Sequence, residues 1–288
     1  MSAPFDHALG RRRLRRALGG AYPDFLVARA AEDLAERLGA VTRHFETGVD
    51  LASPLPLVAP AMRGVCGRVV RIAPPGGTGD VVGEAEMLPV ATESVGLLVS
   101  LLALQGVNDL PGALAQIRRA LAPDGLFMAC MLGGESLSEL RQSFAAAEAE
   151  REGGVSPRVA PFADVRALGG LLQRAGLALP VVDLDRVTVR YRTPFGLMND
   201  LRAMGWSNAL AERRRVPLRR ATLMRAAEIY VERFADPDGR VRATFDLVWL
   251  SGWAPHESQQ KPLRPGSARA RLADALGVPE YGPTGDER

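Results

Sequence analysis

Two polar residues stand at the ends of predicted buried strands, where they could contact a bound cofactor. Asp50 closes a strand predicted near residues 43–51, and Ser100 lies near the end of the strand that starts at Val95. In an open α/β sheet, ligands bind outside the carboxyl ends of the parallel strands, where the strand order reverses. Asp50 and Ser100 are therefore candidates for cofactor binding. The alternative for Ser100 is a hydroxyl that bonds only to the backbone.

The loop after Asp50 lacks the glycines of a typical cofactor-binding loop. Glycine at such positions lets the backbone approach the ligand closely. Here Ala52 and Pro54 occupy them. A positive φ at Ala52 would cost roughly 1–2 kcal/mol, and Pro54 has no N–H to donate. The sequence therefore predicts an altered cofactor loop, with Asp50 and Ala52 as its candidate contacts.

The segment from Val95 to Arg141 carries the clearest fold signal. It reads as a buried strand, a helix, a tight turn, a second buried strand and a Gly-Gly turn into another helix, for which Ser136 and Glu139 predict a capping box. Strands that are apolar on both faces and joined through helices are typical of a doubly wound parallel sheet. Alternating residues near 182–191 and 245–249 predict antiparallel strands at the C-terminal edge. The fold class is therefore α/β.

Length and composition predict one large domain with additions. The 288 residues are 47% hydrophobic, which is enough to bury a sizeable core. We expect a single domain over residues 1–255, which includes an N-terminal helical arm at 1–40 and an arginine-rich helical insertion near 193–240. Residues 256–288 are expected to form a tail. No window approaches the roughly eighteen apolar residues that a membrane-spanning helix needs.

Charge and cysteine content narrow the functional classes. The net charge is only +3, and arginine-rich runs such as residues 11–16 are typical of solvated helix faces, with an acidic partner surface as the alternative. We expect no nucleic-acid partner and leave a peripheral membrane contact open. The two isolated cysteines and the missing secretory signal predict a cytoplasmic location. The three histidines are dispersed along the chain, so we predict no metal site.

Several motifs in combination resemble a single family. They are NDLPGALAQIRRAL (108–121), GGESLSELR (133–141), EREGGVSPRVAPF (150–162) and GWAPHESQQKPLRPGSA (252–268). Together they are similar to the methyltransferase-like assembly factors of respiratory complex I and their alphaproteobacterial relatives. This group lies within the class I S-adenosylmethionine (SAM) dependent methyltransferases, and the resemblance covers about residues 4–270.

The resemblance implies a seven-stranded class I methyltransferase fold with SAM as the cofactor. Glu84 and Ala85 match the family segment that places an acid beside the adenine, and the alternative is a glutamate-rich surface turn. The acid that usually holds the ribose is replaced by alanine and proline at residues 73–75. Relatives often read His-Trp-Val before Asn108, whereas this chain has Gln-Gly-Val at 105–107. The departures fall on the cofactor side of the predicted sheet.

The activity that the resemblance implies is modification of an arginine in an iron–sulfur subunit of complex I, assigned in mitochondrial members as hydroxylation. Hydroxylation needs an oxidant and a metal, and the sequence shows no grouping of two histidines and one carboxylate. The substrate-facing candidates are Asn108, Asp109, Glu135 and Arg141, together with Trp206 and Asn208. Their alternatives are helix caps, an acid that favours a helix N-terminus, and a core tryptophan.

Two other functions remain open at this stage. One is a catalytically inactive chaperone of complex I assembly that keeps the methyltransferase fold and has a degenerate SAM site. The other is methylation of a small carboxylic acid or a quinone.

Overall fold

The structure is a computed structural model that describes residues 3–260. Its strands are β1 (Phe45–Leu51), β2 (Cys66–Ala73), β3 (Val81–Val82), β4 (Val95–Leu101), β5 (Leu121–Gly133), β6 (Ala178–Tyr191) and β7 (Val241–Trp253). Its helices are α1 (His7–Leu18), α2 (Phe25–Gly39), α3 (Val58–Met62), α4 (Leu110–Ala120), α5 (Ser138–Glu152), α6 (Val165–Arg174), α7 (Pro194–Ala203) and α8 (Arg220–Phe234). Strands and helices alternate through the first half, as the sequence predicts.

The strands form one seven-stranded sheet in the order β3-β2-β1-β4-β5-β7-β6. The first five strands are parallel to their neighbours, and β7 runs antiparallel to both β5 and β6. The predicted mostly parallel sheet of a class I methyltransferase is thereby confirmed. Its reversed strand is the last in sequence and lies second from the edge, while β6 is the edge strand.

The two central strands are buried on both faces. Leu97 and Val99 of β4 pack into a core layer that includes α2, α5 and α8, whereas Leu98 packs into a second layer that includes α4 and α6. This arrangement requires apolar residues at consecutive positions of β4, which is the pattern in the sequence. The strands β2 and β3 lie on one side of β1, whereas β4 and β5 lie on the other side. The strand order therefore reverses between β1 and β4.

The insertion near 193–240 contains α7 and α8, and several of its arginines form ion pairs within the protein. Arg225 of α8 lies 2.7 Å from the Glu150 carboxylate of α5, and Arg214 lies 3.0 Å from Glu152. These pairs neutralise part of the positive charge of the arginine-rich insertion. Within the part of the chain that the structure describes, no helix is long and apolar enough to span a lipid bilayer.

The predicted capping box at Ser136 and Glu139 is wrong. The helix α5 begins at Ser138, and Leu137 before it has a left-handed backbone without a side-chain cap. The Glu139 carboxylate instead accepts hydrogen bonds from the backbone N–H and the hydroxyl of Thr244, at 3.2 and 2.5 Å. The Glu139 carboxylate therefore binds to β7 instead of capping α5.

The chain divides into a compact unit over residues 1–255 and a second unit over 256–288. In the second unit only residues 256–260 are described, and there the His256 Nδ1 and Ser258 Oγ atoms lie 2.8 Å apart. The rest of the predicted tail lies outside the described residues, so the domain boundaries stay a prediction.

Candidate functional site

A cavity of about 470 Å³ lies at the carboxyl ends of β1, β2, β4 and β5. Ala52, Pro74, Leu102 and Leu132, from the ends of these strands and the loops after them, line one side of it. The opposite side, which we call the roof, is formed by α1 and residues 206–209. Because the strand order reverses here, the cavity occupies the place where an open α/β sheet binds its ligand.

The loop after β1 has the backbone of a glycine-containing loop without its glycines. Ala52 has a φ of 56°, a left-handed conformation that costs roughly 1–2 kcal/mol for a residue with a side chain. Its N–H donates to the Ile72 carbonyl oxygen at 2.8 Å. The buried Ser53 hydroxyl accepts a hydrogen bond from the Leu101 N–H at 2.9 Å. Pro54 lines the cavity and offers it no donor.

A buried arginine, Arg71 of β2, binds this loop through its guanidinium group. It lies beside Asp50, its register partner on β1, and forms an ion pair with the carboxylate. The same guanidinium donates to the carbonyl oxygens of Ser53 at 2.7 Å, Leu55 at 2.9 Å and Thr78 at 2.8 Å. Arg71 thus ties together the loops that follow β1 and β2.

Of the predicted cofactor residues, Ala52, Glu84 and Ala85 line the cavity, whereas Asp50 and Ser100 are not part of its lining. Asp50 is only 1% exposed, and burial raises its pKa to about 6, although the nearby Arg71 guanidinium opposes this shift. Ser100 is fully buried within β4, and its hydroxyl has no hydrogen-bond partner among residues 3–260. Their roles in cofactor binding stay predictions.

The acids at residues 84 and 86 contact the N-terminal helix that forms the roof. Arg11 of α1 pairs with the Glu84 carboxylate. The Glu86 Oε2 atom lies 3.0 Å from the His7 Nε2 atom. The other Glu86 oxygen accepts hydrogen bonds from the backbone N–H groups of residues 108 and 109, at 2.7 and 2.8 Å. The carboxylates therefore join the roof to the sheet.

The candidates Asn108 and Asp109 have structural partners. Asn108 holds the backbone of Phe5, because its Oδ1 accepts from the Phe5 N–H at 2.7 Å and its Nδ2 donates to the Phe5 carbonyl oxygen at 3.1 Å. Asp109 caps α4 through a hydrogen bond from the Gly112 N–H at 2.8 Å. Asp109 therefore acts as a helix cap, which is the alternative that the sequence offered for it.

The other substrate-facing candidates fall into two groups. Trp206 and Asn208 line the cavity, and Asn208 donates to the Pro157 carbonyl oxygen at 2.7 Å. Glu135 is exposed, and Arg141 donates to the Ser136 carbonyl oxygen at 3.3 Å; neither belongs to the cavity lining. The structure therefore does not bring the candidates together at one point, and their catalytic roles stay predictions.

Three features of the site were not predicted from the sequence. The ion pair of Asp50 with Arg71 had a local signal in the sequence, since an acid and a base stand near the ends of two consecutive strands. The contacts of α1 with residues 84 and 86 had no local signal, because the partners are far apart in the sequence: Arg11 and Glu84 are 73 positions apart. Gln105, which lines the cavity, was noted only as a departure from the family pattern.

The residues around the cavity do not fit the usual way of holding SAM. The cavity has the right place in the fold, but the loop after β1 presents the Ala52 methyl group and the Pro54 ring instead of glycine N–H groups. The end of β2 offers Ala73 where an acid would bind the ribose, and Arg11 occupies the carboxylate of Glu84. In the range 3–260, no three His, Cys, Asp or Glu side chains are arranged to bind a metal ion.

Comparison with known proteins agrees with the fold. The family described as "Methyltransferase domain" matches residues 33–129. The Bacillus halodurans protein BH2331 superposes with a TM-score of 0.52 at 15% identity, over 78% of this chain and 99% of that one. At this identity the likeness concerns the fold alone.

Two sequence relatives are much more similar. The mitochondrial arginine-hydroxylase NDUFAF5 of Danio rerio is 45% identical over 194 residues, which cover 67% of this chain and 60% of the relative. The Homo sapiens protein of the same name is 45% identical over 197 residues, covering 68% of this chain and 57% of the relative. The chain thus spans about 60% of the length of these relatives. Its fold is that of a class I methyltransferase, and its sequence is similar to these arginine-hydroxylase relatives.

Proposed function

We propose that this protein acts on an arginine side chain of a protein partner that binds at the cavity, during the assembly of respiratory complex I. The observation that carries the proposal is the 45% identity to relatives named arginine-hydroxylase, together with the cavity at the reversal point of the sheet. We take the partner to be an iron–sulfur subunit of complex I and the location to be cytoplasmic. No methyl transfer is assigned, since the residues do not fit SAM.

The test is deletion of the gene in its host, followed by complementation with the wild-type chain. We expect deletion to lower the amount of assembled complex I on native gels. We also expect peptide mass spectrometry to show that an arginine of an iron–sulfur subunit loses the mass of a side-chain modification, with both effects restored by the wild-type gene. Normal assembly and an unchanged arginine in the deletion strain would contradict the proposal.

A second candidate function is that of a chaperone without catalytic activity. The observation that favours it is the loop after β1, where Arg71 binds the carbonyl oxygens of Ser53 and Leu55 and where Pro54 offers no donor. In this case deletion would lower complex I assembly, while the arginines of wild-type complex I would carry no modification. The same experiment therefore separates the two candidates.

Direct titration with SAM checks the cofactor side of both candidates. We expect isothermal titration calorimetry of the folded full-length chain to show no heat of binding at millimolar SAM, because Ala52 and Pro54 replace the usual donors. A structurally intact class I methyltransferase with a glycine-rich loop serves as the positive control in the same buffer. Binding of SAM in the micromolar range would show that the altered loop still accepts the cofactor.

A further inference from the structure

Arg202 is a cationic residue at the mouth of the cavity. It lies in the last turn of α7 and lines the cavity, as does Met198 one helical turn earlier. Its side chain is exposed although it belongs to the lining, which places the guanidinium at the rim rather than in the interior. In the part of the chain that the structure describes, this guanidinium forms no ion pair and no hydrogen bond. It is therefore available to a ligand.

The other charged side chains of the lining already have partners. Their pairs are Arg11 with Glu84, His7 with Glu86, Asp6 with Arg213 and Arg158 with Glu148. Among residues 3–260, Arg202 is thus the charged side chain of the lining that has no counter-ion. Like charges repel and opposite charges attract, so the rim favours an anionic group on the ligand.

Trp206 provides a second open donor on the same lining. Its backbone N–H donates to the Leu201 carbonyl oxygen at 2.8 Å, so the chain after α7 turns back against the last turn of the helix. Its indole N–H has no hydrogen-bond partner within residues 3–260 and is not one of the buried atoms. An indole N–H can only donate. Arg202 and Trp206 therefore both offer donors to acceptor oxygens of a ligand.

These donors suit a carboxylate better than a phosphate. A guanidinium can bind both oxygens of a carboxylate through parallel N–H bonds, and its charge balances the single negative charge. A phosphate carries up to two negative charges, whereas the described part of the lining has one cation to spare.

The surroundings of Arg202 favour a carboxylate that is carried by a protein segment. The lining includes Leu140, Phe144, Met198 and Leu201, so the methylene groups of an acidic side chain would contact apolar residues. Because Arg202 lies at the rim, its ligand can continue out of the cavity. A polypeptide does so, whereas a small acid enclosed by the cavity does not.

We propose that Arg202 binds the carboxylate of an acidic residue in the partner segment that carries the target arginine. This inference rests on the proposed function, since that function places a protein segment at the cavity. The acid neutralises Arg202, which would otherwise repel the guanidinium of the target. Arg202 is thereby assigned as a binding residue that selects arginines with an acidic neighbour in the sequence.

Pairs of fluorescein-labelled synthetic peptides test this selectivity. Each peptide has a central arginine within a sequence of leucine, glycine and serine. The two members of a pair carry glutamate or glutamine at the same position, and the pairs cover every position from three residues before the arginine to three after it. Fluorescence anisotropy with the full-length chain is expected to show about fivefold tighter binding of the glutamate peptide for at least one pair, as for a favourable exposed ion pair. Added salt should lower this ratio.

Variants of the chain assign the preference to Arg202. In Arg202→Leu the ratio of the two dissociation constants should fall close to one, and Arg202→Lys should keep part of it. The matched control is Arg174→Leu, because Arg174 is also exposed in the last turn of a helix, α6, but is not part of the lining. It should keep the wild-type ratio, and circular dichroism melting should show that all variants are folded. Equal ratios in the wild type and Arg202→Leu would overturn the inference, as would the lack of a glutamate preference in every pair.

Competition with two free acids separates a protein carboxylate from that of a small molecule. Octanoate and S-adenosylhomocysteine each carry one carboxylate. If either displaces the labelled peptide from the wild type at a lower concentration than the unlabelled glutamate peptide does, and loses this ability in Arg202→Leu, the inference is wrong.

The binding experiments and the deletion strain can fail independently. The peptides are not modified during the measurement, so their affinities do not depend on whether arginines of complex I are modified in the host. Loss of the glutamate preference would leave an assembly defect in the deletion strain unexplained by Arg202 but otherwise intact. Normal assembly and an unchanged arginine in that strain would instead contradict the proposed function.

Discussion

Replacing Arg71 by methionine is expected to lower the free energy of unfolding by about 3–5 kcal/mol at pH 8, as does removal of one partner from other buried ion pairs. Arg71 pairs with Asp50 and donates to three backbone carbonyl groups. Methionine fills a similar volume but donates no hydrogen bond, so the variant retains a buried carboxylate without a cation. Urea unfolding followed by circular dichroism measures the loss.

The effect of Arg71→Met should depend on pH. In the wild type, burial raises the pKa of Asp50 to about 6, above the ordinary value of 3.8. A carboxyl that binds its proton more tightly in the folded state contributes stability below about pH 4, and this is lost as the pH rises through about 6. Removal of the cation shifts the pKa of Asp50 further upward. The wild type and the variant should therefore differ more at pH 8 than at pH 5.

Two further variants keep this prediction specific. Arg68→Met lies on the same strand, but Arg68 is exposed, so its free energy of unfolding should stay within about 0.5 kcal/mol of the wild type. The double variant Asp50→Asn with Arg71→Met removes the buried charge and should be more stable at pH 8 than Arg71→Met alone. A loss that is the same at pH 5 and pH 8 would show that the Asp50 carboxylate does not cause it.

The sheet could be predicted from sequence because its signal is local. The strands at residues 95–101 and 121–133 are buried on both faces, and this requires apolar residues at consecutive positions. The strand predicted near 43–51 is found at Phe45–Leu51. It begins at Phe45, which pairs with Cys66 of β2. The antiparallel strands at the C-terminal edge were predicted from the alternating residues near 182–191 and 245–249, whereas the order of the strands comes from the structure.

The site was harder to predict because its contacts join distant parts of the chain. The altered loop at Ala52 and Pro54 could be predicted, since the sequence lacks the glycines of a typical cofactor-binding loop at these positions. The position of α1 over the cavity could not be predicted, because the helical pattern of α1 does not indicate its tertiary contacts. Two of these contacts are the ion pair of Arg11 with Glu84 and the hydrogen bond of Asn108 with the backbone of Phe5. Asn108 and Asp109 were selected for their chemistry, whereas the structure uses them to position chain segments.

The position of α1 over the cavity depends on a glycine in another element. Gly205, which follows α7, has a φ of 77°. A Cβ atom placed on it would lie 3.0 Å from the Leu14 Cα and 3.2 Å from the Arg13 carbonyl carbon, both in the backbone of α1. Arg13 also donates to the Ser207 carbonyl oxygen at 2.8 Å. Helix α1 and the residues after α7 are therefore in direct backbone contact.

Gly205→Ala is expected to loosen α1 and make the chain at residues 11–16 more susceptible to cleavage by trypsin, because cleavage requires local unfolding of the helix. The alanine methyl group would overlap the α1 backbone, and the positive φ would add roughly 1–2 kcal/mol of strain. If the helix detaches to relieve the overlap, the population of the open form rises by about tenfold for each 1.4 kcal/mol of contact energy that is lost. Limited proteolysis with mass spectrometry should therefore show cleavage within residues 11–16 at least about tenfold faster than in the wild type.

The control for this experiment is Gly170→Ala on α6, where a Cβ atom would meet nothing within 4 Å and no positive φ is required. Alanine favours a helix over glycine by about 1 kcal/mol, so this variant should be slightly more stable and cleaved at the wild-type rate. Unchanged cleavage in Gly205→Ala would mean that α1 can shift by a few tenths of an ångström without leaving the cavity. Faster cleavage confined to Gly205→Ala would show that the close contact at this glycine keeps the roof in place.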